Sequence, residues 1–94
     1  MRFEWDPEKA ERNLRVHSVT FDDASTVFND RLAGTIEDPL HSHEERRCVT
    51  IGLGSSGLLL VVVHTDRGEA IRLISARRAT RAERRKYEQE KPRA

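Results

Sequence analysis

Apolar residues keep a helical spacing up to residue 28, alternate with polar ones from 33 to 76, and return to helical spacing after 81. Phe3-Glu4-Trp5 alternates and predicts a short first strand. Asp6-Pro7 then starts a helix, with Asp6 as N-cap and proline at the first helical position, where its missing N–H costs nothing. That helix is expected from about Pro7 to Val16, with Ala10, Leu14 and His17 on one face. Trp5 before the cap and Ala10 after it suit a hydrophobic staple, and Trp5 is read as core. After a short link at His17-Ser18, Thr20 caps a second helix with Asp23 at its third position. Phe21, Ala24, Val27 and Phe28 line its apolar face, and Val19 opposite Ala24 suits a second staple.

The alternating stretch divides into runs separated by turn residues. Ala33 to Glu37 predicts an edge strand, ended by Asp38-Pro39. Leu40 to Glu45 reads as a polar loop. In Arg46 to Leu53, Val49, Ile51 and Leu53 alternate with polar or small residues, and Gly54 to Gly57 reads as a hairpin turn. Leu58 to His64 is the most apolar run, and so the central strand, covered on both faces. A turn at Asp66 to Glu69 leads to a last strand, in which Ile71, Leu73 and Ser75 alternate with Arg72, Ile74 and Ala76. Turns this short require antiparallel neighbours. Thr80-Arg81-Ala82-Glu83 has the form of a capping box. It opens a helix from Arg81 to about Glu90, and Pro92 discourages extension. The expected fold is α+β: two N-terminal helices, an antiparallel meander of three to four strands, and a C-terminal helix. One domain spans residues 1–94, with 91–94 as a flexible tail.

Composition narrows the function classes. No run of 18 apolar residues is present, so no transmembrane helix is expected. The amino end lacks an apolar signal region, and the single cysteine, Cys48, fits a reducing cytoplasm. Net charge is only +1 but unevenly spread. Residues 1–45 carry five basic and eleven acidic side chains, residues 46–76 four and two, and residues 77–94 eight and three. An acidic first half and a basic last fifth suit an anion on one face and a basic partner on another.

Most catalytic signatures are absent. Gly52-Leu53-Gly54 lacks the helix a dinucleotide site needs. His41 and His43 beside Glu44 and Glu45 have no second cluster to complete a metal site, and neither metal nor cofactor is expected. What remains is a set of arginines on the sheet and at its ends: Arg46, Arg47, Arg67, Arg72 and Arg77. Arginines converging on one sheet face suit a phosphodiester and the added negative charge of its transition state. RNA brings its own nucleophile, the 2′-hydroxyl, so a base, an acid and phosphate-stabilising groups suffice. His41, Glu44 or Glu45 are the candidates for proton transfer.

Several motifs resemble a known family over nearly the whole chain. They are FEWDPEKAERN at Phe3–Asn13, then His17, Val19-Thr20-Phe21, Ala24, Val27-Phe28 and Asp30. His41, Glu45-Arg46, Ile51-Gly52, VVVHTDRG at Val61–Gly68, Arg72, ISAR at Ile74–Arg77, Glu83-Arg84 and Tyr87-Glu88 follow in order. Together they resemble the BrnT toxins. The resemblance implies a RelE-like fold and a type II toxin–antitoxin system whose toxin halts growth by cutting RNA. It also implies a BrnA-like antitoxin with a ribbon-helix-helix domain, two toxins on an antitoxin dimer, and operator DNA contacted only through the antitoxin. Two positions depart from the family's pattern. Members often have Lys-His-Gly where this chain has Val16-His17-Ser18, and arginine follows the hairpin glycine where this chain has Leu58.

The expectation is a metal-independent endoribonuclease. Arg77, Arg72 and Arg67 hold the phosphate, and His41 or Glu45 moves protons. Arg46 and Arg78 bind RNA, and Tyr87 is a candidate to stack on a base. The competing expectation is a non-catalytic module of the same fold that binds protein or nucleic acid.

Overall fold

The computed structural model describes residues 1–38 and 45–90. Its elements in chain order are β1 (Arg2–Glu4), α1 (Pro7–His17), α2 (Phe21–Thr26), a 3-10 turn at Val27–Asn29, β2 (Gly34–Glu37), β3 (Arg47–Leu53), β4 (Leu59–Arg67), β5 (Ala70–Arg78) and α3 (Arg81–Gln89). The expected α+β order is the one found. His41 and the expected tail at 91–94 lie outside the described residues.

β4 is the middle strand of a five-stranded sheet ordered β1-β5-β4-β3-β2. β2 through β5 form the antiparallel meander that the short turns require. β4 runs on to Arg67, and two residues suffice to turn into β5 because Gly68 adopts φ 62. The short first strand is β1, and it adds a fifth strand to the meander's edge. It pairs parallel to β5, Phe3 beside Ile71, because α1, α2 and the meander lie between them in sequence. A β-bulge between Val63 and His64 breaks the β4–β5 register, leaving Ile74 without a directly opposite residue.

Both predicted caps of the N-terminal helices form. Asp6 accepts from the Glu8 N–H at 2.9 Å, and Thr20 Oγ1 accepts from the Asp23 N–H at 3.0 Å. The core joins Val19, Phe21, Ala24 and Val27 to Leu60, Val62, Leu73 and Ala76 of the sheet. Trp5 packs edge-on against Phe21 at 5.8 Å, as a core residue should.

The inward face of α1 is the expected one only in part: Ala10 packs against the core, but Leu14 does not. Leu14 is 49% exposed, while Asn13 is buried at 5%. β1 pairs only with residues 70–72 of β5, so the edge of β5 beyond it needs other partners. Asn13 supplies them. Its Nδ2 donates to the Ala76 carbonyl at 2.8 Å and the Val19 carbonyl at 2.9 Å, and its Oδ1 accepts from the Ala76 N–H at 3.0 Å. The carboxamide thus stands in for a neighbouring strand and fixes α1 along β5.

Candidate active site

Paired residues of adjacent strands point to the same side of a sheet, so the register sorts the arginines. Arg47, Thr65 and Arg72 form one row across β3, β4 and β5, with Glu4 of β1 beside Arg72. Arg67, two residues beyond Thr65, shares that side. So does Arg77, which pairs with Val61 at the other end of the sheet. Arg78 pairs with Leu60 and lies on the opposite face. Arg46 precedes β3, and its carbonyl accepts from Thr65 Oγ1 at 2.7 Å.

Four of the five expected arginines of the sheet meet a carboxylate. Arg72 lies 3.9 Å from Glu4, Arg67 3.6 Å from Glu45, and Arg46 3.4 Å from Glu37. Arg77 makes the tightest pair: both terminal nitrogens donate to Glu83, at 2.8 and 2.9 Å. Glu83 also completes the predicted capping box, accepting from the Thr80 N–H while Thr80 Oγ1 accepts from its own N–H. The Arg77 hydrogen bonds, with the cap, pull the Glu83 carboxyl down to about 2, and Glu83 raises the Arg77 guanidinium in turn. The candidate stacking residue Tyr87 is only 6% exposed. Its hydroxyl donates to Asp30 Oδ2 at 2.6 Å, and burial, with Asp30, pushes it up to about 12. Its ring fills the space under α3 and is not presented to a base.

A different group of cations lines a cleft of about 330 Å³ between α1 and the bulged part of β5. Lys9, Arg12, Val16 and His17 come from one face of α1, and Arg47, Ile74 and Ser75 from the sheet. Among the described residues no carboxylate lines this cleft. Neither Lys9 nor Arg12 has an ion-pair partner among the described residues. Asn13 forms the floor where it bonds to β5. Of this set, sequence reasoning had singled out only Arg47 as a phosphate ligand. A usable signal existed in the basic side chains at positions 9, 12 and 17, spaced to share a helix face.

On the other face, His64 is buried and belongs to a different network. Its Nε2 lies 2.7 Å from Thr50 Oγ1, which lies 2.6 Å from Thr35 Oγ1 on the edge strand. The Phe28 ring meets the imidazole edge-on at 4.9 Å. Burial lowers the His64 pKa, and Asp66 offsets part of that.

Comparison with known proteins bears on this arrangement. The family model described as "Ribonuclease toxin, BrnT, of type II toxin-antitoxin system" matches residues 5–83. The crystal structure of the Brucella abortus ribonuclease toxin BrnT matches with a TM-score of 0.68 at 24% identity, covering 86% of this chain and 99% of that one. At that identity the match establishes a shared fold. No curated protein matches.

Proposed function

Because the chain belongs to the BrnT family of type II ribonuclease toxins, we propose that it is itself an endoribonuclease whose cutting of RNA arrests growth. The observation that carries this reading is the shared face of Arg47, Arg67, Arg72 and Arg77. Arginines fixed on strands meet phosphate oxygens at low entropic cost. Arg77 is the clearest case. Glu83 holds it in one rotamer through its terminal nitrogens, leaving Nε–H without a partner among the described residues. Arg72 and Arg67 extend the track, and Arg46 lies beside it. Sequence reasoning assigns proton transfer to Glu45, which lies near Arg67, and to His41, which lies outside the described residues. The 2′-hydroxyl is the nucleophile, so the reaction requires no cofactor.

The partner is a BrnA-like ribbon-helix-helix antitoxin, with two toxins on an antitoxin dimer, acting in the cytoplasm. Operator DNA is reached only through that partner. The test is controlled expression of the chain alone, beside its neighbouring gene, and as Arg77→Ala, with growth and total RNA followed together. Arrest with RNA loss, relieved by the neighbour and absent in the soluble variant, supports the proposal. Normal growth with folded parent protein refutes it and favours a binding module. Parental RNA loss in soluble Arg77→Ala removes Arg77 from the mechanism.

A further inference from the structure

We infer that the cleft between α1 and the bulged part of β5 receives the scissile phosphodiester of RNA, and that His17 takes the proton from its 2′-hydroxyl. This rests on the ribonuclease reading and gives that reaction a pocket and a base.

The lining supports an anion more directly than the open sheet does. On the sheet, Arg46, Arg67, Arg72 and Arg77 each face a carboxylate that competes with phosphate. In the cleft, Lys9 and Arg12, which have no ion-pair partner among the described residues, surround with Arg47 a space that no acidic side chain of the described residues lines. Ser75 adds a neutral hydroxyl donor at the same wall. A volume of about 330 Å³ falls at the small end of ligand sites, which span roughly 300–1,000 Å³. It has room for one phosphate and its sugar, while flanking nucleotides follow the sheet. The walls are firm: Asn13 ties α1 to β5 through Ala76. The stretch of α1 that carries Lys9, Arg12 and His17 is therefore held in place against the strand that carries Ser75.

His17 is the one imidazole among the described residues of this pocket, and imidazole is the side chain that general-base catalysis uses most often. It closes the last turn of α1, and Ser18 turns the chain away in a left-handed conformation directly after it. The step balances without a co-reactant. His17 accepts the 2′-hydroxyl proton as the 2′-oxygen attacks phosphorus. The bond from phosphorus to the 5′-oxygen breaks, and that oxygen leaves with a proton from solvent. His17 then returns its own proton to solvent. The products are a 2′,3′-cyclic phosphate and a 5′-hydroxyl.

The test uses the purified full chain, a fluorogenic oligoribonucleotide and its all-deoxy counterpart, which binds but lacks the nucleophile. His17→Asn should lower kcat by about 100-fold or more, the usual scale of a lost general base. It should also flatten the acidic limb of the pH–rate profile and leave deoxy-oligonucleotide binding within about twofold of the parent, since only a proton acceptor is lost. Lys9→Ser with Arg12→Ser should weaken that binding by about tenfold, as expected for two lost phosphate contacts. Arg15→Ser, which loses only its exposed pair with Glu11, should match the parent in both assays. Urea unfolding of each variant separates lost function from lost fold. Parental cleavage with an unchanged pH profile in His17→Asn overturns the role of His17. Unchanged binding in the Lys9/Arg12 variant overturns the pocket. No cleavage by the parent chain overturns the ribonuclease reading itself, and the base with it.

Discussion

Ser18 ends α1 with φ 59, a conformation that sets its Cβ against the backbone. Glycine is the residue that adopts this conformation without strain. Ser18→Gly should stabilise the protein by about 0.5 kcal/mol, because relief of the left-handed strain is partly offset by the extra freedom of glycine in the unfolded chain. A urea midpoint that stays level or falls would refute this. His64 supplies a second residue-scale prediction. Its folded pKa lies below the ordinary 6.5, so the unfolded chain takes up the proton first as pH falls. Stability from this site is fully present above pH 6.5 and declines as pH falls toward the folded value. An NMR titration of the His64 ring should give a midpoint below 6.5, and a midpoint at or above it would exclude a buried neutral imidazole.

Elements differ in how much their own residues specify. α3 was legible because its signals are local: Thr80 and Glu83 are three residues apart and cap each other. Glu83→Ala removes one half of that capping box and the anchor of Arg77, while Thr80 Oγ1 still accepts from the N–H of residue 83, and should cost about 1 kcal/mol, mostly from the lost bond to the Thr80 N–H, since the half-exposed ion pair adds little. Far-UV circular dichroism should report lost helix along with a lower urea midpoint. The low pKa of Glu83 means its contribution is present above the ordinary carboxylate range and fades as pH falls toward about 2. α1 was legible in its bounds but only in part in its orientation. Apolar spacing placed Ala10 inward, as found, and Leu14 with it, yet the edge of β5 selects Asn13 in place of Leu14, and its partner Ala76 lies 63 residues away. No local pattern carries that information. Asn13→Ala leaves the Ala76 N–H and C=O without their partner and should cost about 2–3 kcal/mol. Amide exchange at Ala76 should rise more than global unfolding alone explains. The cationic cleft was hidden for the same reason, since α1 and β5 meet only once Asn13 docks.

At the scale of the whole molecule, ion pairs between the acidic half and the later strands offset part of the uneven charge of the sequence. Glu4, Glu37 and Glu45 of the acidic half meet Arg72, Arg46 and Arg67 from later strands. A net charge of +1 therefore gives the molecule little general attraction for a polyanion, and binding must come from local sites. This sets the salt response. If Lys9 and Arg12 are the phosphate contacts made without displacing a carboxylate, about two counterions leave the RNA strand on binding. Single-stranded nucleic acid then gives a slope of log affinity against log salt of about −1.4. An arginine that must first abandon a carboxylate adds less, because its release from one anion offsets its contact with another. Titrating the all-deoxy oligonucleotide at several salt concentrations measures that slope. A value near −5 would mean that the sheet arginines give up their carboxylates and contact the strand in full. A value near zero would mean that charge does not hold the strand, and stacking or backbone contacts would have to replace it.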